Sequence, residues 1–231
     1  MRISKATNDH LKAVRATLAP VLEGLGFRVY DDLRFYRINK PVIQFIIIHA
    51  CESSGVSVLY HIFSLACPPR HSIGSICTGY LYRDRSRDIK WTSSPASAAQ
   101  LALKQIVRVF KSQALPVLDR TITLSGYILE LKSGGGDPGN PHTEVEIGCA
   151  LAFQGKIREA MKYLEEADAR YFFSTVGTGL KRGSIMDEFI GSIIKRTHKK
   201  LLERWHRQFY NALRLGNHQE KLSPITALLD T

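Results

Sequence analysis

The chain carries none of the short motifs that would fix a chemistry. There is no G-x-x-x-x-G-K-[ST] phosphate loop, no G-x-G-x-x-G turn after a strand, no G-x-S-x-G elbow and no H-E-x-x-H helix. A serine three residues before Lys195 spells S-x-x-K, but it falls inside an expected helix without its partner motifs. Cysteine is scarce: four in 231 residues cannot form a disulfide scaffold at this length. Long apolar runs are missing too, and the greasiest stretch, residues 42–50, is far too short to span a bilayer. The opening MRISKATNDHLKAV has no apolar segment behind its cations, so it is not expected to act as a secretory signal. These absences make a cytoplasmic protein with no membrane partner and no cofactor the expectation.

Acidic residues are outnumbered, 21 against 32 Lys and Arg, for a net charge of +11. The excess is +8 over residues 1–130 and +3 over 131–231, so it is spread rather than carried by a tail. No run of five like charges occurs, which argues against a disordered basic arm. Such a protein is drawn to polyanions through counterion release. A hydrophobic fraction of 44% is that of an ordinary globular chain.

A seam at residues 132–142, KSGGGDPGNPH, divides two differently patterned halves, because three glycines followed by Asp-Pro and Asn-Pro fit neither a helix nor a central strand. Ahead of it, Asn8 or Asp9 can cap a helix over 9–24 with Leu11, Val14, Leu18 and Leu22 at helical spacing. Residues 33–39, 42–50 and 56–66 then read as an antiparallel meander of β-branched and aromatic runs. The middle run is apolar on nearly every residue, so both its faces should be covered. Residues 67–80 read as a loop and 87–91 as a short edge strand. Ser94 and Pro95 open a helix with Ala98, Leu101, Ala102, Ile106 and Phe110 on its stripe, interrupted at Pro116. Residues 117–131 fit helix or strand. Beyond the seam, two short helices should meet near Gln154-Gly155. A longer helical stretch over 184–215 follows, with Trp205 in its apolar stripe.

Two stretches resemble known families. The opening helix, Gly26-Phe27-Arg28, the strand Phe35-Tyr36-Arg37, the strand containing Gln44, and a weaker likeness through Trp91 to Leu115-Pro116 resemble an uncharacterised bacterial domain family. That family has no assigned activity, so the resemblance implies a fold for about the first 130 residues and no catalytic set. Within residues 143–169, the spacing of Ala150, Gly155, Ala160, Leu164 and Ala167 is similar to one tetratricopeptide unit. No second copy is present, and a solenoid needs about three, so an isolated helical hairpin is expected.

Three constellations could carry chemistry. Asp119 followed by Glu130 and Lys132 after an apolar run resembles the metal-dependent restriction-type nuclease core, in which carboxylates hold Mg²⁺ and the lysine supports the attacking water. The ordinary alternative is a polar helix end. Cys51, Cys67, His71 and Cys77 are possible zinc ligands, but no C-x₂₋₄-C knuckle occurs, and small buried cysteines at strand ends explain them equally. His49 and His61 fall within apolar strands and read as core or rim histidines.

The basic residues form two groups. Arg83, Arg85 and Arg87 alternate with Asp84 and Asp88 near Tyr80, Tyr82 and Trp91, a pattern suited to phosphate and base contact or to a self-neutralised loop. Lys195, Arg196, Lys199, Lys200, Arg204 and Arg207 gather on one helical face against a single acid, Glu203. The expected architecture is α+β: a meander sheet packed by helices over 1–132, a linker over 133–142 and a helical region over 143–231. The leading functional expectation is a non-enzymatic protein whose basic surface meets nucleic acid or an acidic protein. The alternatives are a protein–protein adaptor, including a bacterial immunity or accessory protein, and the nuclease.

Overall fold

The computed structural model describes residues 5–39, 41–51, 55–64, 66, 77–83, 90–92, 96–135 and 141–174, together with Ser192, Lys200, Leu201, Glu203, Arg204 and Arg207. The chain divides into two compact units, one of residues 1–63 with 77–130 and the other of 64–76 with 131–231. The fold is mixed α+β, with an antiparallel sheet in the first half and helices filling the described part of the second.

Helix α1 (Lys5–Gly24) starts four residues earlier than its capping pattern suggested, so Asn8 and Asp9 lie inside it rather than at its cap. Its buried face is the expected one: Leu11, Val14, Leu18 and Leu22. Gly26, at φ 82°, turns the chain into β1 (Arg28–Val29), a conformation that a side chain would strain. Strands β2 (Arg34–Asn39), β3 (Val42–Cys51) and β4 (Gly55–Ser64) follow as the alternating runs predict. Along β3, Val42, Ile43, Phe45, Ile46 and Ile48 are all buried, so the two-sided coverage expected of that run is present.

The sheet runs β1-β2-β3-β4-β5, with β5 (Cys77–Tyr80) and β6 (Trp91–Thr92) both pairing with β4. Residues 77–80 are thus strand where a loop was expected. Gly79 explains how: it sits opposite Tyr60, and a Cβ there would fall inside the tyrosine ring. The ring takes the space that a side chain would otherwise fill, giving the glycine position an apolar cover. Trp91, fully buried, anchors β6 against Val56.

One face of the sheet carries Phe35, Ile46 and Ile48, with α1 packed on β3 and α2 packed on α1. The other carries an aromatic row. Tyr36 and Phe45 face each other across β2 and β3 with ring centroids 6.3 Å apart, Phe63 meets Phe45 edge-on at 6.0 Å, and Tyr30 closes on Phe45 at 5.8 Å.

Helix α2 (Ala96–Val109) continues through a π-helical turn (Phe110–Ala114) into α3 (Leu115–Arg120) instead of stopping at Pro116. The proline lacks an N–H and its ring would crowd a carbonyl one α-turn back. The widened turn, in which the Leu115 amide bonds to the Phe110 carbonyl, places Pro116 at the start of a fresh helical segment where a proline is tolerated. The buried face of α2 is Ala102, Ile106 and Val109, and Leu101, assigned to that stripe from its spacing, is exposed. Residues 117–131 hold no strand: α3 ends at Arg120, a turn covers 121–123, and α4 (Leu124–Glu130) follows.

In the second unit, Leu131–Gly135 forms a wide helical turn and α5 (Pro141–Phe153) begins inside the expected linker. Helix α5 joins α6 (Ile157–Ser174) through Gly155 at φ 76°, where the sequence placed the hairpin. Buried residues cover every side of α5 from Thr143 to Ala152, which makes it a central helix of its unit. Gly148 is its point of closest approach, since a Cβ there would lie 2.7 Å from Leu164. Gly148→Ala should therefore lower stability by about 1–3 kcal/mol despite the better helix propensity of alanine. Adding Leu164→Ala should cost less than the two single changes summed, because the collision is removed; urea unfolding of the three variants checks this.

Candidate anion-binding surface

A fully buried glutamine organises the polar interior of the first unit. Gln44 on β3 lies directly opposite Arg37 on β2, and its Oε1 accepts a hydrogen bond from Arg37 Nε at 2.9 Å. Its Nε2 donates to the Leu118 carbonyl at 2.6 Å and to Thr121 Oγ1 at 3.0 Å. Thr121 Oγ1 in turn donates back toward the Val117 carbonyl, 2.8 Å away. Arg37 extends the network: Nη1 donates to the Leu25 carbonyl at 3.0 Å, the guanidinium covers the Phe27 ring at 4.7 Å, and Nη2 faces Asp119 Oδ1 at 3.5 Å. That last contact is an ion pair without hydrogen-bond geometry, since Nη2 makes no hydrogen bond. Burial pushes the Arg37 guanidinium below its usual range, and Asp119 partly opposes this. Phe27, Arg37 and Gln44, quoted above for a family likeness, thus meet in one place, a buried structural brace.

The brace also settles where the nuclease residues lie. That reading needs a strand over 117–131, and the segment is two helices joined by a turn, which removes the strand end on which the carboxylates and lysine would converge. Asp119 turns to Arg37, while Glu130 accepts from Arg120 at 3.2 Å. Lys132 lies over the Tyr163 ring at 4.8 Å. Of the possible zinc ligands, Cys51 ends β3 and Cys77 begins β5, whereas Cys67 and His71 lie outside the described residues. Among the described residues no group of three or more His, Cys, Asp or Glu gathers.

His49 is exposed. His61, half-buried and stacked on Phe63 at 6.0 Å, is pushed down to about 4 by burial, and burial also lowers His10 on α1. In both histidines burial disfavours the charged form.

The cations that face outward are the functional candidates. Of the residues described beyond α6, Lys200, Leu201, Glu203, Arg204 and Arg207 are each helical; Lys200, Arg204 and Arg207 are exposed, Glu203 is half-buried and Leu201 is buried at 6%. Lys195, Arg196 and Lys199 of the same expected face lie outside the described residues, as do Arg85 and Arg87. Arg83 is half-buried just beyond β5.

A third basic group escaped the sequence reading. Residues 96–114, spanning α2 and the π-helical turn, contain no acid, and Lys104, Arg108 and Lys111 recur there at spacings of four and three. All three are exposed, and among the described residues no acidic side chain pairs with them. The signal in the sequence is an acid-free helical stretch with cations four and three residues apart, opposite its apolar stripe. Comparison of the chain with family models, with curated proteins and with solved structures finds no match.

Two outcomes follow from the geometry. Gln44→Leu removes one hydrogen bond each from the buried Leu118 carbonyl, the Thr121 hydroxyl and the Arg37 guanidinium, so stability should drop by about 2–4 kcal/mol in urea unfolding. Because the folded state holds His61 neutral, its contribution is fully present above about pH 6.5 and is lost as pH falls toward 4. The loss should reach on the order of 2–3 kcal/mol. A His61→Phe variant should show a flatter stability profile across that window than the parent.

Proposed function

We propose that the protein is a non-enzymatic binding protein whose basic surface engages an anionic partner, nucleic acid being the simplest. The observation that carries this reading is that Lys200, Arg204 and Arg207, helical residues spaced four and three apart, are exposed while Leu201 among them is buried. An arrangement with apolar residues inside and cations outside can lie along a phosphate backbone without disturbing the core. The overall charge of +11 adds long-range attraction, which raises the encounter rate with any polyanion. The polar cluster in the sheet is a buried brace in which Gln44 has all its hydrogen bonds made within the fold, and its chemistry supports a scaffold more than a reaction centre.

Fluorescence anisotropy with labelled DNA and RNA across a salt series tests the reading. Binding should weaken steeply as salt rises. Replacing Lys200, Arg204 and Arg207 together by Glu should remove most of the affinity and reduce the salt slope by about 2–3. Unchanged affinity of that variant at low salt would remove this helix from the interface. Failure of the parent protein to bind either nucleic acid at low salt would overturn the proposal and favour an acidic protein partner.

A further inference from the structure

Strand β5 lies at an edge of the sheet, and its hydrogen-bond phase fixes which of its backbone groups face outward. The Leu81 amide donates to the Val58 carbonyl at 2.9 Å, in register with the pairing of Gly79 with Tyr60 and of Cys77 with Ile62. Bonded and unbonded pairs alternate along an antiparallel ladder, so Thr78, Tyr80 and Tyr82 turn their N–H and C=O groups away from β4. At Tyr82 those groups are already taken. The Gln113 side-chain amide, in the π-helical turn, meets them in both directions: the Tyr82 amide donates to Oε1 at 2.9 Å, and Nε2 donates to the Tyr82 carbonyl at 2.9 Å. A carboxamide offers the donor and acceptor that a neighbouring strand would offer, so this clamp closes the edge at Tyr82. Among the described residues nothing bonds to the outward groups of Thr78 and Tyr80.

What can lie along that open stretch is constrained on both sides. Side chains of an added strand alternate between the two faces of the sheet. On the aromatic face they meet Tyr80, which the register places with Leu59 and which is 41% exposed. The opposite face belongs to the helical layer, and the contact with Gln113 brings its π-helical turn beside the edge. Arg108, exposed, lies one turn before Gln113 across the widened helix. Residues 96–114 contain no acid, and among the described residues no acidic side chain pairs with Arg108.

We propose that the outward edge of β5 accepts an extended, acidic segment of a partner polypeptide as a further strand, with apolar side chains over Tyr80 and alternate carboxylates toward Arg108. The backbone of that segment supplies hydrogen bonds to Thr78 and Tyr80, and its charge complements the acid-free helix. The inference goes beyond the nucleic-acid reading, since it concerns a different surface and a different class of partner. A second copy of this chain would bring +11 against +11, so the charge favours an acidic partner. A nucleic acid has no peptide groups with which to continue the ladder.

Amide exchange followed by NMR tests the edge and its occupant separately. In the free protein the Thr78 and Tyr80 amides should exchange at least about ten-fold faster than those of Gly79, Leu81 and Tyr82, and Gln113→Ala should release Tyr82. The probe is a peptide of about eight residues alternating Glu and Val. Its controls are a Lys and Val alternation and the Glu and Val peptide with a central proline. At saturation the probe should slow exchange at Thr78 and Tyr80 about ten-fold, and both controls should bind at least about ten-fold more weakly. Arg108→Glu should weaken the probe about ten-fold. Thr78→Pro removes one outward N–H without touching the bonds to β4, and should abolish binding. Both variants are first checked for unchanged circular dichroism, and Arg108→Glu carries the test if Thr78→Pro does not fold. Exchange that the probe leaves unchanged overturns the proposal, as does equal binding of the proline peptide. Slow, concentration-dependent exchange at Thr78 and Tyr80 with a dimeric mass would assign the edge to a second copy. Protection by oligothymidylate in place of the probe would assign it to nucleic acid, and either result refutes the acidic strand.

Discussion

Gln44 is the residue on which the first unit depends. It sits in the middle of a strand that is otherwise almost wholly apolar, with none of its surface exposed. A carboxamide there is tolerable only because all three of its hydrogen bonds are supplied from specific places: Arg37 on the adjacent strand, and the Leu118 carbonyl and Thr121 hydroxyl of the helical layer. The asymmetry of buried hydrogen bonds makes this a strong positional constraint. Forming them adds modestly to stability, whereas leaving any one unmade in that interior costs the full desolvation of the orphan group. The sheet and the end of the helical run are thereby held in a single register.

That constraint propagates outward. Arg37 can serve Gln44 because its guanidinium is itself fixed by the Leu25 carbonyl and by the Phe27 ring, which the turn at Gly26 brings underneath it. On the helical side, Leu118 and Thr121 reach Gln44 only because the chain continues past Pro116. The π-helical turn permits this by shifting the hydrogen-bond pattern just before the proline. The same turn carries Gln113, whose amide closes the backbone beyond β5. One irregular helical turn therefore positions an interior brace and an exterior clamp.

How much of this was legible depends on whether neighbours in sequence or neighbours in space decide. Strands β2, β3 and β4, the hairpin at Gly155 and the buried face of α1 follow from local alternation, helical spacing and turn residues. Leu101 fits the apolar spacing of α2 yet stands 58% exposed, because burial depends on what lies opposite and spacing alone fixes only a helix side. Residues 77–80 looked like loop since Gly79 weakens a strand locally, and only Tyr60 across the sheet makes that glycine useful. Asp119, Glu130 and Lys132 suggested a nuclease while 117–131 could still be strand; helix formation assigns two of them to ion pairs with Arg37 and Arg120 and the third to an aromatic ring.

Composition and periodicity by themselves determined an α+β chain, rich in positive charge, with its helical hairpin after the seam. These properties are set within a few residues or summed over all of them, so no long-range contact is needed to read them. The partner of Gln44, the passage of a helix through Pro116, and the meeting of Tyr82 with Gln113 were decided only in the tertiary structure. Each depends on donors and acceptors dozens of residues apart, and a buried polar group takes its partner from whatever the fold brings within 3 Å.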